Sequence, residues 1–262
     1  MLGPHTSITE LIGLIIIFFL TSVVGVVTGS NSLITVPAML TFGIEPRVAL
    51  ATNMFGLTFL SFGGTLPFWG KGAFDRRRLS FLVALTLVGS VVGALLVLVV
   101  PSKTMPLLIS ILMLAVAAVS FVKRDAGRYP GGESPSRAAE LWGYLATFLL
   151  GIYGGFFSGG YVTMLTAVFV VCLGMTYVQA VANTKLINVF SSLVATLIFM
   201  WRGIVDYRLG LILAVVMFIG AIIGARVALK LDNLWLRRVF LATVVALAFK
   251  TLIYDFVWQQ LF

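Results

Sequence analysis

Charged residues and cysteine are both scarce in this chain. Of its 262 residues, 10% are charged and 60% are hydrophobic, and the mean hydropathy is +1.11. A water-soluble domain needs more polar surface than this composition provides. The only cysteine, Cys172, excludes disulfide frameworks, paired-thiol redox centres and cysteine-rich metal sites. The composition therefore predicts a protein whose solvent is lipid, and we expect no cofactor.

Long stretches of the chain contain no Asp, Glu, Lys or Arg. About 20 apolar residues in a helix cross the hydrocarbon core of a bilayer. The stretch 11–44 exceeds that length so far that it must contain more than one element, and further uncharged stretches follow at 48–70, 79–102 and 104–122. The sequence therefore predicts an all-α integral membrane protein.

Positive charge is concentrated in the short connections between the apolar stretches. A net charge of +9 suits nucleic acid, but basic residues in such connections orient a membrane protein, and we expect no nucleic-acid partner. Basic loops are predicted to be cytoplasmic. The clusters are Lys71, Arg76, Arg77 and Arg78; Lys123, Arg124, Arg128 and Arg137; and Arg226, Lys230, Arg237 and Arg238.

The second half of the chain repeats the first at an offset of 131 residues, without a gap. The matches include Gly29 with Gly160, Ser61 with Ser192, Asp75 with Asp206, and Gly93 with Gly224. Matched Gly, Ser and Asp in one register are harder to obtain by chance than matched Leu or Val. The sequence predicts two tandem transmembrane repeats, 1–122 and 138–262, joined by a polar linker, 123–137.

Each repeat contains about five hydrophobic segments, the second of which is short. An odd number of crossings inverts the second repeat in the membrane and places both termini outside. The alternative treats the short segments as re-entrant and makes the repeats parallel; the loop with Arg202 and Arg208 favours it, whereas the basic loop 230–238 favours inversion. The predicted segments are 10–28, 32–42, 48–68, 79–100 and 105–122, then 141–157, 161–173, 180–200, 209–229 and 236–258.

Glycine-rich breaks precede both short segments, at 29–32 and 151–160. Ser and Asn are good N-caps, and a helix that begins at such a break directs unpaired N–H groups and partial positive charge at its surroundings, which suits an anion. Close helix packing is the alternative explanation of the glycines. Paired, interrupted short segments in two repeats are typical of a transporter site, which we favour.

Polar residues lie at the start of the two hydrophobic segments that follow the short segments. Such groups are costly in lipid, so we expect them to face the protein interior. Lys185, the only charged residue between Glu140 and Arg202, is either a substrate counter-charge or a side chain that snorkels to the headgroups. Asp75 and Asp206 are predicted to cap helices or pair with Arg. The candidate substrate-binding residues are Ser30, Asn31, Thr52, Asn53, Ser158, Asn183, Thr184, Lys185 and Asn188.

Several of these motifs occur in an order that resembles that of a known protein family. The first half carries residues 25–40 with Val36-Pro37, the stretch 49–53 and residues 72–75, and the second half carries similar motifs at 159–160, 183–188 and 203–206. In this duplicated order the chain resembles the TauE/SafE sulfite exporter family. The resemblance implies a multi-pass transporter of sulfite, sulfonates or related small organosulfur anions in the bacterial inner membrane. Ser30-Asn31-Ser32 stands where family members often carry further glycines.

Two other functional classes remain open on the sequence. One is an anion channel, which would need a continuous polar lining, or a permease for another small carboxylate or oxyanion. An intramembrane serine hydrolase could use Ser158-Gly159, but the sole histidine, His5, precedes the first segment and leaves no obvious base. The expected partners are a small anion and the lipid bilayer, while the oligomeric state and any coupling ion stay open.

Overall fold

The computed structural model describes residues 8–29, 31–105, 107–109, 111–112 and 135–230. This part of the chain is helical and contains no strand, which confirms the predicted all-α class. Most of the predicted linker, much of the fifth predicted segment (105–122) and all of the last one (236–258) lie outside the described residues. Within the described residues, eight α-helices have defined bounds and are numbered here in chain order: α1 Ile8–Thr28, α2 Ser32–Thr41, α3 Pro46–Thr65, α4 Leu79–Val99, α5 Arg137–Phe156, α6 Tyr161–Leu173, α7 Tyr177–Trp201 and α8 Tyr207–Lys230.

Five of the described helices are long and apolar enough to cross a bilayer, namely α1, α3, α4, α7 and α8. The two helices predicted to be short, α2 and α6, have 10 and 13 residues. A helix rises about 1.5 Å per residue, so neither reaches across about 30 Å of hydrocarbon. The chain is therefore a multi-pass membrane protein that carries short helices inside its apolar sequence.

Helix α1 shows how the surface of the protein is arranged. Ile12, Ile16 and Leu20 recur every fourth residue and are exposed, whereas Phe18 and Ser22 on the other side are fully buried. A soluble helix would not expose such an apolar stripe while it buries a serine. Apolar residues thus face the lipid, and polar side chains are enclosed between helices, where they need partners.

The eight helices lie where the sequence predicts them, but two of them begin three or four residues earlier than expected. Helix α5 begins at Arg137 rather than 141 because the Ser136 hydroxyl accepts a hydrogen bond from the backbone N–H of Ala139 at 3.2 Å. Helix α7 begins at Tyr177 rather than 180 because Thr176 and Gln179 form a capping box. These caps are polar residues, so hydropathy places them outside the helix.

Helices from the two halves of the sequence pack against each other across the centre. Helix α4 packs against α5 and α7, while α8 packs against α1 and α3. Helices α3 and α7 also pack together: the Asn188 amide donates to Ser61 Oγ at 2.6 Å, and the Thr58 and Thr196 hydroxyls lie 3.3 Å apart. Because residue numbers rise along one helix as they fall along the other, α3 and α7 run antiparallel.

Glycines bring two of these helix pairs into close contact. A Cβ atom on Gly93 of α4 would lie 2.0 Å from the backbone oxygen of Ile152 in α5. A Cβ atom on Gly224 of α8 would lie 2.1 Å from the backbone oxygen of Val23 in α1. Backbone atoms cannot rotate away as a side chain can. The α4–α5 and α8–α1 contacts therefore require a residue without a side chain at these points.

Candidate functional site

The two glycine-rich breaks meet inside the protein. Gly29 and Gly160 have φ values of +71° and +75°, in the left-handed region that glycine adopts without strain. A Cβ atom on Gly29 would lie 2.6 Å from the backbone nitrogen of Thr163, in the first turn of α6. The end of α1 therefore touches the start of α6, and the beginnings of the two short helices lie close together.

The prediction that Ser or Asn side chains cap the short helices is wrong. Asn31 precedes α2 and Gly160 precedes α6, and neither position makes a side-chain cap hydrogen bond. Asn31 already has helical dihedrals, φ −53° and ψ −52°, whereas a capping residue normally has extended ones. Its amide donates instead to Ser22 Oγ in α1, at 3.4 Å. The backbone N–H groups at these helix starts are left without side-chain caps.

A small cavity lies where the breaks meet. Its volume is about 10 Å³, which is room for about one water molecule. Four predicted site residues line it, together with Ser32, which the sequence analysis left out although it is next to Asn31. Ser30 lies outside the described residues. The lining residues are Gly25, Gly29, Asn31, Ser32, Leu57, Leu60, Ser158, Val162, Lys185 and Asn188.

Lys185 is the only charged residue among those that line the cavity. It is 1% exposed, and a Cβ atom on Gly64 would lie 3.6 Å from its Cδ, so its stem passes α3 inside the protein. This burial excludes the snorkelling alternative. No hydrogen bond or ion pair of its ammonium group is formed with any described residue. A buried cation without a carboxylate partner is costly and indicates a functional site.

Ser158 holds an unusual backbone conformation at the cavity. Its φ of +64° is the only positive value at a residue other than glycine in the described part of the chain. Such a conformation costs about 1–3 kcal/mol and is concentrated at functional sites. The neighbouring contacts support it, since the Tyr153 hydroxyl donates to the Gly159 oxygen and the Tyr161 N–H donates to the Ser158 oxygen at 3.2 Å.

Asn53 and Thr184 do not line the cavity. The Asn53 amide donates to Ser32 Oγ at 2.9 Å and accepts from the Thr35 hydroxyl at 2.7 Å. The hydroxyls of Thr184 and Thr166 lie 3.3 Å apart. Both residues therefore join a long helix to the short helix before it, α3 to α2 and α7 to α6. They position the short helices whose first residues border the cavity.

Thr52 and Asn183 bind loops from the other half of the sequence. Thr52 Oγ1 accepts a hydrogen bond from the backbone N–H of Asp206 at 3.1 Å. Asn183 Oδ1 accepts one from the backbone N–H of Asp75 at 3.2 Å. We call these contacts the Thr52 latch and the Asn183 latch. Because each residue is near the start of its helix and α3 and α7 are antiparallel, the latches lie toward opposite ends of the protein.

The predicted roles of Asp75 and Asp206 are confirmed. The Asp206 carboxylate accepts from the backbone N–H of Leu209 at 3.1 Å and so caps α8. The Asp75 carboxylate lies 3.3 Å from the Arg78 guanidinium, which also pairs with Glu140 at 2.7 Å. The loop before α4 is thereby held against α5.

Comparison with known proteins agrees with this architecture. A sequence profile of the family described as "Sulfite exporter TauE/SafE" matches residues 14–251. The chain belongs to the TauE/SafE family. It is 28% identical over 235 residues to "Probable membrane transporter protein ORF9" of Sinorhizobium sp, covering 89% of each chain. It is 26% identical to "Probable membrane transporter protein YfcA" of Escherichia coli K12, covering 94% of this chain and 91% of that one. No solved structure matches significantly.

A third relative, "Probable membrane transporter protein" of Haemophilus influenzae, is 26% identical and covers 92% of this chain and 93% of its own. The TauE/SafE family and these relatives are described as transporters, in agreement with a role that is not enzymatic. The protein is thus a membrane transporter of the TauE/SafE family.

Proposed function

We propose that this protein is a secondary transporter that moves sulfite, a sulfonate or a related small organosulfur anion across the bacterial inner membrane. The observation that carries the proposal is the buried ammonium group of Lys185 beside the cavity where the two breaks meet. No described carboxylate neutralises this charge. A bound anion would do so, and would remove the cost of an unpaired charge in a low-dielectric interior.

The groups around Lys185 also suit an oxyanion. The starts of α2 and α6 supply partial positive charge, and neither Asn31 nor Gly160, which precede these helices, makes a side-chain cap hydrogen bond. Ser32, Ser158 and Asn188 add hydroxyl and amide groups to the lining. Contacts that are numerous and individually weak suit a carrier, because the anion must also leave the site.

Inverted repeats and alternating access complete the proposal. Helices α3 and α7 correspond at the offset of 131 residues, and their antiparallel packing is what inversion of the second repeat requires. The two latches lie toward opposite ends, so that release of one would open the cavity to one side. A cavity with room for about one water favours such a carrier over a channel with a continuous polar lining.

Replacement of Lys185 tests the anion site. We expect Lys185→Met to weaken the binding of sulfite and of methanesulfonate to the purified protein about tenfold or more in calorimetric titration, since a charge-assisted contact is lost. Lys103→Met is the matched control, because Lys103 is exposed in a connection between helices. Unchanged affinity in Lys185→Met, with the melting temperature retained, would place the anion site elsewhere.

Cysteine labelling tests the inverted topology. In a Cys172→Ala background, we expect Lys103→Cys and Arg202→Cys to react with an impermeant thiol reagent from the periplasmic side, and Arg76→Cys from the cytoplasmic side. All three residues are exposed in the protein. Parallel repeats place positions 103 and 202 on opposite sides of the membrane, so labelling of these two positions from different sides would refute inversion.

A further inference from the structure

Two polar groups at the cavity lack partners in the part of the chain that the structure describes. One is the ammonium group of Lys185. The other is the side-chain oxygen of Asn31, whose residue is 3% exposed and whose Oδ1 accepts no hydrogen bond. A buried acceptor that is left unpaired retains the full cost of its desolvation. Each group therefore marks a contact that a ligand can make once the cavity, which in this state has room for about one water, has opened.

The contact with Ser22 fixes which atom of the Asn31 amide is unpaired. The Ser22 hydroxyl donates its proton to the backbone oxygen of Phe18 at 2.5 Å, so it offers only lone pairs to other groups. The Asn31 nitrogen donates to that hydroxyl oxygen at 3.4 Å. Exchange of the amide nitrogen and oxygen would set two acceptors against each other. The unpaired atom is thus the carbonyl oxygen, which needs a donor.

The cavity therefore requires two different properties of its ligand. Lys185 needs a negatively charged acceptor, and Asn31 needs a hydrogen-bond donor. A fully ionised oxyanion has acceptors only and would leave the Asn31 oxygen unpaired. Lys185 is the only charged residue in the lining, so a second negative charge on the ligand would have only the partial charges of the two helix starts to offset its desolvation.

We propose that the ligand is a singly charged organosulfur oxyanion that also carries an O–H group. The oxyanion accepts from Lys185, and the O–H group donates to Asn31 Oδ1. This inference rests on the proposed function and narrows its substrate class. Hydrogen sulfite and hydroxyalkyl sulfonates meet the requirement. The sulfite dianion and sulfoacetate, which has a second negative charge and no O–H group, do not.

Three ligands of similar size test the inference by calorimetric titration of the full-length protein. They are 2-hydroxyethanesulfonate, propane-1-sulfonate, which replaces the hydroxyl with a methyl group, and sulfoacetate. We expect the hydroxysulfonate to bind about tenfold or more tightly than either of the others, because only it pairs both Lys185 and Asn31.

Variants of two buried polar residues assign the preference to a residue. In Asn31→Ala, which keeps the Cβ that lies beside Gly25, the preference for the hydroxyl over the methyl group should fall to about onefold. Thr147→Ala is the control, since Thr147 is also buried but donates to the Gly143 oxygen within α5 and does not line the cavity. This control should keep the preference.

The outcomes separate this inference from the proposed function. Equal affinities of the wild-type protein for the hydroxysulfonate and propane-1-sulfonate overturn the inference, and they leave the proposed function standing if Lys185→Met weakens both. Tight binding of sulfoacetate likewise refutes the single charge. Failure of all three ligands to bind overturns the inference, and the titration with sulfite and methanesulfonate then decides the proposed function. If Asn31→Ala does not fold, the wild-type ratio alone decides.

Discussion

Replacing Gly93 or Gly224 with alanine should prevent the stable assembly of the two halves of the protein. The new methyl group would lie 2.0 Å or 2.1 Å from a backbone oxygen of the neighbouring helix, far inside van der Waals contact. Relief requires α4 to separate from α5, or α8 from α1. Overpacking typically costs about 1–3 kcal/mol, and a clash with backbone should reach at least the upper end of that range.

Size-exclusion chromatography and thermal unfolding of the detergent-solubilised variants measure this effect. Gly13→Ala is the matched control, because a Cβ there would lie 3.7 Å from a Phe42 ring carbon, an ordinary contact. The control should elute and melt as the wild type does. A folded Gly93→Ala protein with an unchanged melting temperature would contradict the close approach of α4 and α5.

Loss of one latch should open the central cavity to one side of the membrane only. Thr52→Val removes the acceptor for the backbone N–H of Asp206, and Asn183→Leu removes the acceptor for that of Asp75. An N–H group that has lost its acceptor is more stable where it can bind water. Each substitution therefore favours the open state, by about 1–3 kcal/mol. A bias of that size changes the population of an open state by about 5- to 150-fold.

The reactivity of a cysteine at the cavity reports which side has opened. We use Ser158→Cys with Cys172→Ala, and an impermeant thiol reagent added to right-side-out or inside-out vesicles. Thr52→Val should accelerate labelling from the periplasmic side and Asn183→Leu from the cytoplasmic side. Thr58→Val, which removes a hydroxyl near Thr196 but binds no loop, is the control. Equal acceleration from both sides in either variant would show that the latches stabilise packing rather than access.

Hydropathy predicted the helices well, because lipid imposes one requirement on every residue that faces it. The candidate site was predicted less completely. Asn31, Ser158, Lys185 and Asn188 line the cavity, since a polar residue near a helix break in apolar sequence has few other places to go. The sequence could not show that Lys185 is enclosed rather than at the headgroups, because its depth depends on the neighbours of α7.

Thr52 and Asn183 illustrate what a single sequence cannot reveal. Both residues have the polarity and the position of site residues, but their partners are backbone N–H groups in distant loops. Because every residue except proline has a backbone N–H group, the residue type does not show which N–H group donates to Thr52 or to Asn183. The match between Asp75 and Asp206 at the offset of 131 residues was the available signal, and it marked the loops that the latches hold.

The small volume of the cavity has a consequence for the energised membrane in which such a protein works. Protons cross a protein along files of hydrogen-bonded water, and a space with room for about one water cannot hold such a file. Leu57, Leu60 and Val162 line the same space and do not attract water. In this state the cavity gives protons no path, so the two helix breaks that meet there do not by themselves dissipate the proton gradient on which the cell depends.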